Sequence, residues 1–311
     1  MNKPHYKIFN LDYNHLIRES EVLIEKYKTN YFQLCLDQLK LKITESDLIL
    51  LLKLEYLPIF VALKSIYQKK QNTVFLGIVG VNGSGKTTLA EFLTQLLQSE
   101  SYRAIHFSMD DLYPIKSTRL KWAKMIHPNL KTRLMYDNEL VKRVFQGLNN
   151  WKGLIKIPQF DKGIDDRVPE ENWLVIPEKP DFVIIEGVFP FAKPIADARL
   201  TKADKFINSQ VRDLTDSYDF IDLKLVLLTD SIKDVIQFRQ QQEIELQKVQ
   251  GKSVGMSPQK IESFIRYFQT YLERYTWPQE RDPRIDLVFT LDSKRRIIRI
   301  YSPKNMITYI E

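Results

Sequence analysis

The chain has 311 residues, 44% hydrophobic and 27% charged, with one cysteine and a formal net charge of +7. That balance excludes a disordered, collagen-like or coiled-coil chain, and the lone Cys35 excludes an intramolecular disulfide framework or a cysteine-based zinc cluster. The positive excess is dispersed, with 11 Lys/Arg against 8 Asp/Glu in residues 1–72, whereas nucleic-acid binders concentrate it in a stripe or arm.

No apolar run approaches the ~18 residues of a membrane span, and no apolar signal core follows Met1 to Tyr6. A cytoplasmic protein with neither membrane nor nucleic-acid partner is expected. Cys35 reads as a small buried hydrophobe on a helix.

Residues 1–72 predict a helical extension. Leu16, Leu23, Tyr27, Leu34 and Leu41 recur at helical spacing, and Thr44-Glu45-Ser46-Asp47 opens a second helical segment to about Lys70 with a kink at Pro58. From Thr73 the texture changes to short β-branched runs: Val74 to Val79, Ala104 to Met109, Asp181 to Ile185, Leu223 to Leu228, Ile285 to Leu291 and Ile297 to Tyr301. The first four are nearly continuous apolar runs, as strands buried on both faces should be. Helical patterns at 87–98, 138–150, 231–250 and 257–275 alternate with them. Residues 73–311 therefore predict one α/β domain with a doubly wound, mainly parallel sheet.

Directly after the first strand comes Gly80-Val81-Asn82-Gly83-Ser84-Gly85-Lys86-Thr87-Thr88, a full Gly-x-x-x-x-Gly-Lys-Thr string opening a helix. The glycines let backbone N–H groups converge on the α- and β-phosphates of a nucleotide; Lys86 reaches the β- and γ-phosphates, and the Thr87 hydroxyl suits Mg²⁺. A nucleoside triphosphate with Mg²⁺ is the expected ligand. Thr201-Lys202-Ala203-Asp204 matches the guanine-reading string of small GTPases, but no β run precedes it, so it reads as a polar helix start.

The second strand ends in Ser108-Met109-Asp110-Asp111-Leu112-Tyr113, at the sheet edge where open α/β folds bind ligands. Asp110 and Asp111 read either as a turn or helix cap, or as a general base with a metal-organising partner. Glu186 ends the apolar run Phe182-Val183-Ile184-Ile185 before Gly187; it suits Mg²⁺ through water, or it merely ends a strand. In Ile157-Pro158-Gln159-Phe160-Asp161-Lys162-Gly163-Ile164-Asp165-Asp166-Arg167, Lys162 and Arg167 suit an acceptor carboxylate, though a solvated loop has the same composition. Arg239, in Phe238-Arg239-Gln240-Gln241-Gln242-Glu243, and Arg266 lie on two helices linked through Gly251 to Pro258. That pair forms either a lid over residues 231–275, whose arginines close on a transferring phosphate, or a static hairpin.

Taken together, these motifs resemble the glycerate kinase type of plants, fungi and bacteria, within the phosphoribulokinase, uridine kinase and pantothenate kinase group of P-loop kinases. The resemblance runs from Thr73 to Arg299. It implies a P-loop nucleoside triphosphate hydrolase fold and Mg²⁺-ATP-dependent phosphorylation of a hydroxyl on a small metabolite, D-glycerate first. Asp110 falls on the group's catalytic base; Phe160, Asp161 and Arg167 fall on its acceptor loop, with Asp111 and Tyr113 as further acceptor contacts. Lys86, Arg239 and Arg266 become charge-neutralising residues, and Thr87 with Glu186 the metal pair.

Two departures bear on the acceptor. After His127-Pro128-Asn129-Leu130-Lys131-Thr132-Arg133 relatives continue with Gly-x-Pro-Gly-Thr-His-Asp, whereas this chain reads Leu134-Met135-Tyr136-Asp137; and Val188-Phe189 follow Gly187 where relatives commonly carry Trp. Another acceptor (nucleoside, pantothenate or sugar), or a nucleotide-binding regulatory protein without acceptor turnover, are the alternative expectations.

Overall fold

A computed structural model describes residues 12–37, 44–196, 198, 200–250 and 256–310, with side chains of 29–37 and 245–250 outside the description. Cys35, Leu34, Leu41 and the stretch from Gly251 to Gly255 lie outside the described residues or side chains. The extension comprises α1 (Tyr13–Asp37), α2 (Glu45–Leu51), a π-helical segment (Leu52–Tyr56) and α3 (Leu57–Lys70). Then follow β1 (Val74–Gly80), α4 (Lys86–Ser99), β2 (Ala104–Ser108), α5 (Lys116–Met125) and α6 (Asn138–Asn149). Two small ribbons, β3 (Ile155–Ile157) with β6 (Leu174–Ile176) and β4 (Phe160–Asp161) with β5 (Asp166–Arg167), precede β7 (Phe182–Gly187) and α7 (Lys202–Leu214). The chain ends through β8 (Leu223–Leu228), α8 (Ile232–Gln250), α9 (Pro258–Tyr271), β9 (Leu287–Leu291), β10 (Ile297–Ser302) and β11 (Ile307–Ile310).

The main sheet has the order β11-β10-β9-β8-β1-β7-β2. Its strands are parallel from β2 to β9, and β10 and β11 add an antiparallel edge. The sheet is thus mainly parallel with helices on both faces, an α/β fold. The strand β11 was not foreseen: it lies at the outer edge, and its side chains are exposed or half-buried, so it carries no buried apolar run.

Alternation along β1 divides the interior. Val74, Leu76 and Ile78 face a core shared with α4 (Leu89, Phe92, Leu93) and with the extension (Leu57, Phe60, Leu63), whereas Phe75 and Val79 face a second core containing residues of α6, α7 and α9. Direct ring contacts join extension and sheet, Tyr13 to Phe289 at 6.0 Å and Tyr67 to Phe182 at 5.1 Å. Each fully buried side chain of this size contributes roughly 1.5–3 kcal/mol, so the extension is part of the core that holds the sheet.

The expected break near Pro58 takes the form of the π-helical segment. Proline has no N–H to donate to the carbonyl four residues earlier, that of Leu54. The Tyr13 hydroxyl donates to that carbonyl at 2.7 Å instead. On the same segment Glu55 is 3% exposed, its Oε1 has no hydrogen-bond partner, and burial pushes its carboxyl up to about 8. A carboxyl raised in the fold favours folding while protonated and loses that benefit as pH rises from its unfolded value through about 8. Thermal stability should therefore fall between pH 5 and pH 9. Glu55→Gln should flatten that fall, gaining roughly 2–4 kcal/mol at pH 9 and little at pH 5 in urea unfolding.

Candidate active site

Three neighbouring parallel strands deliver the chemistry to one edge. In the pairing register Glu186 of β7 lies beside Ser108 of β2 and Ile78 of β1, so the loops after β1 and β2 flank Glu186 at the carboxyl ends of the strands. This is where an open α/β sheet forms its ligand crevice.

The loop after β1 turns through Gly83 (φ 75°) and Gly85 (φ 96°), a region that residues with a side chain rarely adopt. A Cβ on Gly83 would lie 2.7 Å from the Cβ of Phe238 on α8, whereas one on Gly85 would meet open space. The loop is thus packed from behind and open in front. Helix α4 starts at Lys86, so the N–H groups of Lys86, Thr87 and Thr88 are among those without partners in their own helix. Gly80 ends β1 so tightly that a Cβ there would lie 2.5 Å from the Leu227 carbonyl oxygen.

Lys86 is 7% exposed and donates to the Val81 carbonyl at 3.0 Å. Burial pushes its ammonium pKa down, against the pull of Glu186 and Asp110. The Thr87 hydroxyl donates to Glu186 Oε1 at 3.1 Å, and Glu186 itself is buried. Asn82 Oδ1 and Ser84 Oγ are buried without partners. A buried cation, a row of helix-start N–H groups and an open front fit a nucleotide's phosphates, and the Thr87–Glu186 pair fits the accompanying Mg²⁺. Among the described residues no group of three or more His, Cys, Asp or Glu could hold a metal alone, so the cation's remaining ligands would be phosphate oxygens and water.

Asp110 follows β2 on a short 3₁₀ turn, Met109–Leu112. Its Oδ1 accepts from the Tyr113 hydroxyl at 2.7 Å, and its Oδ2 pairs with Lys162 Nζ at 2.8 Å. Burial raises its carboxyl, but Lys162, the Tyr113 hydroxyl and Lys86 outweigh that and hold it below the usual range. It is therefore ionised at neutral pH and able to accept a proton.

The other expected acceptor residues divide into walls and braces. Asp111 accepts from Ser108 N at 3.2 Å and from Phe160 N at 3.1 Å, closing the cap of its turn and tethering β4. Burial pushes it up to about 6. Each oxygen accepts from one backbone N–H, so Asp111 holds the turn and the hairpin beside Asp110. Phe160 is buried, edge-on to Tyr113 at 5.5 Å, and Tyr113 stacks on Tyr136 at 5.7 Å. Arg167 donates to the Tyr113 carbonyl at 2.6 Å and pairs with Asp137 at 3.0 Å, so it braces Tyr113. Arg167 also lines a cleft of about 870 Å³ along α6 that includes none of Lys86, Asp110 or Glu186. Asp161 accepts from Gly163 N at 2.7 Å and shapes the hairpin turn.

The lid arginines separate. Arg239 follows Phe238, which abuts Gly83, but its guanidinium pairs with the buried Glu243 at 2.6 Å. Arg266 is 57% exposed and pairs with Glu262 one turn earlier on α9 at 2.7 Å. No contact joins it to the phosphate loop among the described residues, so its expected catalytic place is not supported by the geometry. The Thr201 string is the helix start expected of it: Thr201 caps α7 reciprocally with Asp204.

Sequence reasoning missed three cations. Arg119, 2% exposed, donates to the carbonyls of Pro114 at 3.2 Å, Lys131 at 2.8 Å and Asp165 at 2.5 Å. Arg133 lies between Asp165 and the Phe160 ring. Arg295, in a cluster that reads as a charged turn, donates to the carbonyls of Gly83 and Phe238 at 2.8 and 2.9 Å, joining the phosphate loop to α8. An arginine within an otherwise apolar stretch is a sequence signal for burial; none of these three has one.

No family model matches the chain. Among curated proteins, it is 28% identical over 216 residues to an uncharacterized kinase, mug58, of Schizosaccharomyces pombe, covering 62% of this chain and 77% of that one. It is 25% identical over 310 residues to the chloroplastic D-glycerate 3-kinase of Arabidopsis thaliana, covering 88% and 67%, and 26% identical over 165 residues to a uridine kinase of Macrococcus caseolyticus, covering 52% and 69%. The solved D-glycerate 3-kinase of Cryptococcus neoformans superposes with a TM-score of 0.68 at 18% identity, over 78% of this chain and 96% of that one. The YGR205w protein gives 0.64 at 22%, over 77% and 92%.

The fold is that of the P-loop kinases. In sequence the chain is similar to a D-glycerate 3-kinase and to uridine kinases.

Proposed function

We propose that this protein is a Mg²⁺-ATP-dependent kinase that phosphorylates a hydroxyl of a small metabolite, with D-glycerate as its acceptor and 3-phosphoglycerate as product. The observation that carries the reading is the meeting of Lys86, the Thr87–Glu186 pair and the ionised Asp110 at the carboxyl ends of three adjacent strands. Similarity to D-glycerate 3-kinases supports the acceptor.

Residues 80–88 would hold the triphosphate and Thr87 with Glu186 would hold Mg²⁺, which when bound would neutralise phosphate charge. Lys86 adds a fixed cation in a site with little water, where its charge acts most strongly. An acceptor hydroxyl that displaces Lys162 from Asp110 can donate its proton to that carboxylate as its oxygen bonds to the γ-phosphorus and the bond from that phosphorus to the departing ADP breaks. The Tyr113 hydroxyl keeps Asp110 aimed while the partner changes. Lys162, on the tip of the β4–β5 hairpin and 64% exposed, is free to swing outward.

Among the described residues no helix is long and apolar enough to cross a membrane. A metabolite acceptor, and neither nucleic acid nor membrane as partner, is part of the proposal.

The test is ADP release with a panel of D-glycerate, uridine, pantothenate, ribulose 5-phosphate and neutral polyols. D-glycerate should stimulate turnover above all the others. Preferential stimulation by uridine would move the protein to the uridine kinase side of its relatives, and stimulation by no acceptor would favour a nucleotide-binding regulator.

A further inference from the structure

We propose that Arg133 is an acceptor-binding residue that selects a substrate carrying a carboxylate one carbon removed from the carbon whose hydroxyl is phosphorylated. The inference rests on the kinase reading above and deepens it. The sequence points to Lys162 and Arg167 for a carboxylate, but Arg167 is held by the Tyr113 carbonyl and Asp137, with its buried Nε left without a partner, and Lys162 pairs with Asp110 until an acceptor hydroxyl displaces it outward.

Arg133 differs from both. Its Nε lies 3.7 Å from Asp165 Oδ1, beyond hydrogen-bond distance, and that carboxylate is already shared with Arg119 at 3.2 Å. Its Nη1 is buried and donates to nothing. A buried guanidinium N–H without an acceptor is costly, and a ligand oxygen placed there removes that cost.

The position is right for an acceptor. The guanidinium carbon stands 5.8 Å from the centre of the Phe160 ring, which packs edge-on to Tyr113. The positive charge of Arg133 acts on Lys162 and on Tyr113, the two groups that hold Asp110. A ligand bound to Arg133 therefore lies near the base that would take its proton.

The chemistry favours a carboxylate over a phosphate. A planar guanidinium edge matches a carboxylate with two parallel N–H···O bonds. One arginine beside the carboxylate of Asp165 balances a monoanion, whereas a dianion would face more of that like charge. In D-glycerate one carbon separates the carbon of the reacting C3 hydroxyl from the carboxylate, so in this proposal the hydroxyl end faces Asp110 and the carboxylate end faces Arg133.

The test compares D-glycerate with glycerol, which keeps the hydroxyls and lacks the carboxylate, and with glycerol 3-phosphate, in wild type, Arg133→Gln and Arg133→Lys. Wild type should prefer D-glycerate to both alternatives. In Arg133→Gln the D-glycerate KM should rise about 10- to 100-fold with a smaller change in kcat, the scale of one lost charge-assisted pair. Arg133→Lys should recover part of the loss, because charge survives without the planar fork. Stabilisation of the nucleotide-loaded protein by D-glycerate in thermal melts should disappear in Arg133→Gln. A D-glycerate KM within about twofold of wild type in both variants, or a wild type that uses glycerol as readily as D-glycerate, overturns the role of Arg133 while the kinase reading stands. A wild type preferring glycerol 3-phosphate overturns the carboxylate. Turnover of no hydroxyl acceptor at all overturns the kinase reading, and this inference with it.

Discussion

Asp110→Asn should lower D-glycerate-dependent turnover by about 10²–10⁴-fold, the range a positioned general base supplies, while ATP binding changes little. The substitution is nearly isosteric. The Asn side-chain oxygen can still accept from the Tyr113 hydroxyl, so the turn should keep its shape. What is lost is the proton acceptor and the partner of Lys162. Because Lys162, Tyr113 and Lys86 hold the carboxyl below its ordinary range, Asp110 is ionised at neutral pH, and the wild-type rate near pH 7 should not depend on its titration. A low basicity is enough, since the hydroxyl becomes acidic only as its oxygen bonds to phosphorus. Single-turnover rates beside the affinity for a fluorescent ATP analogue separate the two effects. A mutant with near-normal turnover removes Asp110 from the mechanism.

Arg119→Met should destabilise the protein by about 2–4 kcal/mol and raise the acceptor KM well beyond the ATP KM. The side chain is 2% exposed and ties three carbonyls, those of Pro114, Lys131 and Asp165, to one guanidinium. Those segments are, in order, the stretch after Tyr113, the stretch leading to Arg133, and the β4–β5 hairpin that carries Lys162. Methionine fills similar volume but leaves the three carbonyls without their donor. The lower end of the range applies because Asp165 is 40% exposed, so water can compensate part of the loss on that side. Urea unfolding reads the stability change, and initial rates against D-glycerate and ATP read the split between the two substrates. Equal rises in both KM values would mean that Arg119 supports the fold generally rather than the acceptor side.

The legible parts of the molecule are those whose function depends on contiguous sequence. The phosphate loop is one: its glycines, lysine and threonine act through backbone geometry within nine residues, Gly80 to Thr88. Strands β1, β7 and β8 are another, because parallel strands covered on both faces read as unbroken apolar runs. Helix α5 was not visible. Its ten residues expose Leu120 and Met125 and bury Arg119, the reverse of an amphipathic signal.

The acceptor side was legible in only part for the same reason. The pairs Arg119–Asp165, Arg133–Asp165 and Arg167–Asp137 join residues far apart in the chain that meet through loop packing, which leaves no periodicity to read. The loop from Ile157 to Arg167 packs beside Asp110 and Asp111 through Lys162 and Phe160, but its composition does not show which of its charges pair internally. Asp111 accepts from backbone N–H groups and Arg167 holds the Tyr113 carbonyl and Asp137, while Arg133 Nη1 and Arg167 Nε keep no partner. In the lid, Arg239 and Arg266 occupy the expected helices, yet each closes an ion pair with a glutamate of its own helix, a pairing that i,i+4 spacing makes available.

The central claim is that the γ-phosphoryl group of ATP moves to a hydroxyl of D-glycerate beside Asp110. Phosphorus NMR of purified protein incubated with Mg²⁺-ATP and D-glycerate tests this most directly. The account predicts ADP and 3-phosphoglycerate formed in equal amounts by wild type, with neither accumulating above background in Asp110→Asn. ADP and inorganic phosphate without a phosphoglycerate signal, or equal phosphoglycerate from both proteins, would contradict it.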